Sequence, residues 1–307
     1  MRKFLFKISL YILGVAGVLL FLGSYADGNT DDNYMHFAVE KPQNIILGDS
    51  RSVQGIVPEV LKTKLLVPFD NFSLNIVESP YGPVYLKALK RKLNPDTQNG
   101  VFILTVSPWN LALNGSVNKI EDFPEEHSPL NNMYFYDKSP NYEYLVRNYS
   151  KSWFRIYLDR EAAGRSNTFL HKDGWMEVNV DMNKDSVAAR VAVKIKEYKA
   201  VLNTYRLSEE RLEAINQIID YLKPKGTVYL VRIPASKNMM ALEDERFPEF
   251  NTLMKDLSKK KQVKFYDFSG QSDDFIYTDG NHMYSKSAKI LTAQIADSIK
   301  AEQNRLK

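Results

Sequence analysis

Three residues of this chain have the types needed for acyl transfer: Ser50, Asp279 and His282. A serine hydroxyl is a weak nucleophile at neutral pH until an imidazole within hydrogen-bond reach takes its proton. A carboxylate on the far side of that imidazole holds the ring in the correct tautomer and stabilises the charge it gains. In Asp279-Gly280-Asn281-His282 the acid precedes the base by three residues, with glycine and asparagine between them. The chain can therefore curl so that Asp279 accepts from Nδ1–H and Nε2 stays free to face a serine. In Ile45-Ile46-Leu47-Gly48-Asp49-Ser50 the serine follows an apolar strand, and Gly48 permits a tight turn there.

Each string alone also fits an ordinary turn, and Asp279 a helix-capping residue. Their placement joins them: Ser50 follows the first predicted strand, and the Asp279/His282 pair precedes the last predicted helix, 285–299. In a doubly wound parallel sheet these two places converge at the carboxyl edge. The remaining strands are expected at 71–76, 101–106, 227–233 and 263–268, and a helix start at Ser208-Glu209-Glu210-Arg211.

Gly48-Asp49-Ser50 early and Asp279-x-x-His282 late resemble the SGNH/GDSL hydrolase superfamily. That resemblance implies a flavodoxin-like three-layer α/β/α sandwich around a parallel sheet, with esterase or acyltransferase activity. It also implies oxyanion donors on the loops after the second and third strands. By position these are Gly82, in Ser79-Pro80-Tyr81-Gly82, and the side chain of Asn110, in Ser107-Pro108-Trp109-Asn110, together with the Ser50 amide. The order of elements is similar to the membrane-anchored branch that modifies cell-envelope polymers, such as teichoic acid D-alanyl transfer and alginate O-acetylation proteins.

The amino terminus agrees with an envelope location. Arg2, Lys3 and Lys7 precede an uncharged run from 8 to 22. The run fits a secretory segment with Ser24-x-Ala26 as cleavage site; counted from 4 to 25 it is long enough for one tilted span, the reading favoured here. Either way the positive head leaves the body outside the cytoplasm, attached to the cell membrane or released as a periplasmic or secreted protein.

The expected organisation is an anchor or signal segment at 1–26, a polar linker at 27–43 that stands the body off the membrane, and a first α/β half at 44–110. An aromatic-rich insert at 111–207 follows as a cap, and a second α/β half at 208–307. Most of the insert's aromatics read as its own core, and His171-Lys172-Asp173-Gly174-Trp175 as a surface turn.

Composition narrows the classes. The chain has 307 residues and no cysteine, which excludes disulfides, thiolate metal sites and a cysteine nucleophile. A net charge of +4, with no clustered basic face beyond Lys259-Lys260-Lys261, gives no reason to expect nucleic acid. Asp181-Met182-Asn183-Lys184-Asp185 begins like a calcium loop, but Ser186 and Ala192 stand where glycine and glutamate are needed. No metal and no cofactor is expected. The expected substrate is an acylated carbohydrate or small ester. The alternative is a non-catalytic glycan-binding or assembly factor on the same fold, partnering a membrane acyltransferase.

Overall fold

The computed structural model describes residues 1–117, 119–164 and 167–305. Five parallel strands form its central sheet: β1 (Ile45–Leu47), β2 (Asp70–Asn71), β3 (Gly100–Thr105), β4 (Gly226–Arg232) and β5 (Lys264–Asp267). Their spatial order is β2-β1-β3-β4-β5. The inner strands β1, β3 and β4 are largely apolar and buried on both faces because helices cover both.

Alternation along each strand sends side chains to opposite layers. Ile45, Leu47, Phe102, Leu104, Val228 and Leu230 enter one core, facing helices Pro83–Lys92, Glu209–Leu222 and Phe250–Lys261. Ile46, Val101, Ile103, Tyr229 and Val231 enter the other, facing helices Pro58–Leu65 and Ser285–Arg305. This is an α/β/α sandwich. The helix Glu209–Leu222 starts as its sequence predicts, with the Ser208 side chain accepting from the Arg211 amide.

The chain leaves β1 toward β2 and later returns past β1 to β3, so the winding reverses between β1 and β3. Such a switch point opens a crevice beyond the carboxyl ends of the two strands. Ser50 lies directly after β1.

Between the two halves, Ala112–Asn114 pairs antiparallel with Tyr205–Leu207, so the inserted segment leaves and re-enters through one short ladder. Tyr136, Tyr144 and Tyr149 within it are buried. A hairpin of Thr168–Leu170 and Met176–Val178 carries the turn at 171–175. That turn is not a free surface loop: the Asn71 amide donates to the Asp173 carbonyl at 2.7 Å, and Trp175 Nε1 donates to the Gln54 carbonyl. Asp173 thus covers the otherwise open edge of β2, where unpaired backbone groups need partners.

Two further expectations are corrected. Residues 27–43 are no stand-off linker, because Tyr34, Met35, His36 and Phe37 form a buried 3-10 turn. Phe37 stacks on Tyr144 at 5.4 Å and Tyr34 meets the same ring edge-on at 5.5 Å, so two aromatics within a polar stretch anchor it to the body. The strand expected at 71–76 keeps ladder pairing at Asp70–Asn71 and continues extended to Leu74. It ends where the Asn75 side chain accepts from the Val77 amide and turns the chain.

Helix Arg2–Gly23 is long and apolar enough to cross a membrane.

Candidate active site

Beyond β1 the backbone turns sharply, and every constraint on that turn comes from a neighbour. A Cβ on Gly48 would fall 1.9 Å from Thr105 Oγ1, so glycine is required by the close approach of β3. Asp49 then caps the short helix Ser50–Gly55, its Oδ1 accepting from the Arg51 amide at 3.0 Å. Its other oxygen accepts from Ser107 Oγ at 2.9 Å, which ties the loop after β1 to the loop after β3. The polar backbone of the turn is satisfied from below. The Tyr85 hydroxyl accepts from the Gly48 amide, Ser79 Oγ donates to the Gly48 carbonyl, and the Tyr81 hydroxyl donates to the Thr105 carbonyl. Ser50, at the first helical position, is left half-buried.

The second loop arrives from beyond β5. Gly280 adopts φ +83°, a conformation that costs other residues energy, and its carbonyl accepts from the Ser236 amide at 2.8 Å. The turn folds His282 back over Asp279. Asp279 Oδ1 accepts from the amides of Asn281 and His282 at 2.9 and 2.8 Å, and Oδ2 lies 2.8 Å from His282 Nδ1. Burial alone raises this carboxyl, but the hydrogen bonds and charge of His282 outweigh it and hold the group down to about 2. On the other side of the ring His282 Nε2 lies 2.8 Å from Ser50 Oγ. Ser50, His282 and Asp279 are therefore continuous, although 232 residues separate the first two.

Asn281, absent from the sequence-based candidates, sits beside this pair. Arg51 Nε donates to Asn281 Oδ1 at 2.8 Å, which orients the amide and leaves Nδ2 3.2 Å from His282 Nε2. An ionised Asp279 can only accept, so the hydrogen bond to its Oδ2 puts the ring proton on Nδ1 and leaves Nε2 facing Ser50. Arg51 in turn is held by Glu243 at 2.5 Å. Burial works against the Arg51 charge, but Glu243 more than offsets it and raises the guanidinium above its ordinary value. Glu243 is fully buried, accepts from Trp109 Nε1 at 2.7 Å and also lies 3.4 Å from Arg232.

Gly82 and Asn110, expected by position as oxyanion donors, lie in well-packed surroundings of their own. Asn110 is fully buried and both ends of its amide serve its own turn: Oδ1 accepts from the Ser107 amide at 3.0 Å and Nδ2 donates to the Thr105 carbonyl at 3.1 Å. It completes a capping box with Ser107. Gly82 precedes helix Pro83–Lys92 and packs against the buried Glu125–Arg211 pair, where a Cβ would stand 2.5 Å from Glu125 Oε1. Neither residue hydrogen-bonds Ser50 or His282.

The inserted segment reaches the same place. Helix Lys184–Val201 crosses the 278–282 loop, with Arg190 Nε donating to the Thr278 carbonyl at 2.7 Å. Its Tyr198 packs edge-on against Trp109 at 4.8 Å, and its phenol, pushed up by burial, lies in the field of Arg51, Asp49, Glu243 and Asp279. Among the described residues no three His, Cys, Asp or Glu side chains are placed to hold a metal ion.

No family model and no curated protein sequence matches the chain. Among solved structures it is similar to a lipase/acylhydrolase from Enterococcus faecalis, with 14% identity over 84% of this chain and 95% of that one and a TM-score of 0.39. It is also similar to Est24, a carbohydrate acetylesterase from Sinorhizobium meliloti, with 12% identity over 84% and 97% and a TM-score of 0.38. At those values neither likeness bears on chemistry, and the fold rests on the strand order and layers above.

Proposed function

We propose that this chain is a serine-dependent acyl-ester enzyme, an esterase or O-acyltransferase, working outside the cytoplasm on acyl esters of a cell-envelope glycan. The observation that carries this reading is the unbroken line from Ser50 Oγ through His282 to Asp279, with 2.8 Å at each step. Ser50 Oγ attacks the ester carbonyl carbon while His282 Nε2 takes the hydroxyl proton, and Asp279 stabilises the imidazolium that forms. The oxyanion accepts from the Ser50 amide and from Asn281 Nδ2, which Arg51 aims in advance. As the tetrahedral intermediate collapses, the alcohol leaves with the proton from His282 and an acyl-Ser50 remains. Water or a sugar hydroxyl then attacks, gives its proton to His282, and releases Ser50. Half-burial of Ser50 suits an ester carried on a larger molecule.

The amino-terminal helix, with its basic head, supports a body held outside the cytoplasm at the cell membrane, within reach of a membrane acyltransferase partner. The test is labelling by a fluorophosphonate probe together with turnover of p-nitrophenyl acetate. Wild type should label and turn over, and Ser50→Ala should do neither while remaining folded, since a half-exposed loop serine contributes little to the core. A folded wild type that neither labels nor turns over but binds glycan would move the chain to the non-catalytic binding factor.

A further inference from the structure

We propose that helices Tyr142–Arg147 and Trp153–Asp159 form a lipid-docking surface that seats the body in the headgroup layer of the membrane crossed by helix Arg2–Gly23. The proposal rests on that helix remaining as a span and is independent of the acyl-ester chemistry. Its 22 residues extend about 33 Å at 1.5 Å each, enough for a hydrocarbon core of about 30 Å.

The end of the span is fastened to these two helices. The Tyr142 hydroxyl donates to the Leu20 carbonyl at 2.7 Å. Gly23 is buried against Tyr142 and Leu145, and a Cβ there would fall 2.6 Å from the Tyr142 ring. On the other side the rings of Phe21 and Tyr25 meet at 5.2 Å, Tyr25 and Tyr157 at 5.1 Å, and Tyr157 and Phe154 at 6.3 Å. This chain of rings starts on the last turns of the span and ends on the outer face of helix Trp153–Asp159. The two helices therefore lie at the depth where the span leaves the hydrocarbon.

What they present there is apolar. Phe154 is 55% exposed and Leu158 42%, and four residues apart they share one helix face. Val146 on the neighbouring helix is 74% exposed. Phe21, at the end of the span, is 56% exposed and its ring lies 6.5 Å from that of Tyr157, so ring contacts join the span to this face of the body. Lys151, exposed, borders it with a positive charge suited to lipid phosphates, while Arg147 is paired with Glu143 at 3.1 Å. Aromatic and aliphatic side chains bordered by positive charge are the composition of a segment lying in the interfacial layer. Continuity with the span selects lipid as the occupant over a partner protein.

The absence of cysteine allows single labels in the full chain. Leu158→Cys, Ile12→Cys and Val193→Cys would each carry a nitroxide, in vesicles of phosphatidylcholine and phosphatidylglycerol. Collisions with lipid-soluble oxygen and with a water-soluble nickel complex then report depth. The expected result is deep burial at Ile12, interfacial depth with oxygen collisions exceeding nickel collisions at Leu158, and full nickel access at Val193. A Leu158 label as open to nickel as Val193, with Ile12 deep, would overturn the docking surface alone. Shielding of Leu158 from both reagents would assign the face to a protein partner and also overturn it. Nickel access at Ile12 would sink the spanning reading and this proposal with it.

Discussion

Asn281→Ala separates the oxyanion arrangement proposed here from the one expected at Gly82 and Asn110. In the wild type Asn281 Nδ2 stands 3.2 Å from His282 Nε2, itself 2.8 Å from Ser50 Oγ, so its free N–H borders the space where an ester oxygen becomes charged. Removing one such donor costs about 10²- to 10³-fold in kcat, or about 2.7–4 kcal/mol of transition-state stabilisation. The same change deprives the buried Arg51 Nε of its acceptor, at about 1–3 kcal/mol of stability. The two effects separate if kcat for p-nitrophenyl acetate is normalised to sites titrated with a fluorophosphonate while stability is followed in urea. Asn110→Ala should give the opposite pattern. It leaves the Ser107 amide without its acceptor, costing about 1–3 kcal/mol, while the Thr105 carbonyl keeps the Tyr81 hydroxyl and kcat per titrated site stays near wild type. If Asn281→Ala keeps wild-type kcat per site and Asn110→Ala loses it, the reasoning from side-chain direction is refuted.

Three further outcomes follow from the same geometry. Glu243→Ala should destabilise the protein by about 3–5 kcal/mol in urea unfolding, because it strands the buried Arg51 charge, whereas Arg232 keeps Asp244 and Asn251; a loss below about 1 kcal/mol would show that the Arg51 pair carries no such cost. Asp279 has its carboxyl lowered from 3.8 to about 2, so its contribution of about 2 kcal/mol is fully present above pH ~4 and disappears as pH falls through ~2. Unfolding free energy measured from pH 6 to 2 should therefore fall more steeply for wild type than for Asp279→Asn, and parallel curves would contradict it. Gly280→Ala, forced into φ +83° with Ser236 Oγ 3.0 Å from the new Cβ, should lose about 1–2 kcal/mol of stability and most turnover, as read by melting and ester hydrolysis.

The parts of the site legible in the sequence are those whose geometry is local. Asp279 and His282 meet through one turn of four residues with glycine at the strained position, so spacing alone predicts their contact. Strand positions are legible for a similar reason: runs such as 101–106 are apolar on both faces, which only a strand covered by helices on each side tolerates. Donor direction is not local. Asn110 follows β3 as the family resemblance requires, yet its Nδ2 donates to the Thr105 carbonyl and its Oδ1 accepts from the Ser107 amide. Asn281 is aimed by Arg51, 230 residues away, and no spacing rule links them. The polar stretch 27–43 misleads because Asp27 and Asp31 serve local turns while Tyr34 and Phe37, which follow them, carry the packing.

The buried charges behind the site are hard to explain as stabilising elements. Replacing a buried ion pair with apolar side chains is often neutral or favourable, so keeping Arg51, Glu243 and Arg232 out of water calls for another reason. Their positions supply one. Arg51 follows Ser50 on the same short helix, and its Nε holds the Asn281 amide while its Nη2 is fixed by Glu243. Glu243 also accepts from Trp109, on the loop after β3, and lies beside Arg232 at the end of β4. One carboxylate therefore connects β4 and the loops after β1 and β3, and through Arg51 the 279–282 turn. Loops joined only by apolar contacts could slide by the ångström or so that breaks a 2.8 Å hydrogen bond, whereas directional bonds to one rigid, fully buried group forbid that motion. Whatever stability the network costs is recovered as alignment of Ser50, Asn281 and His282.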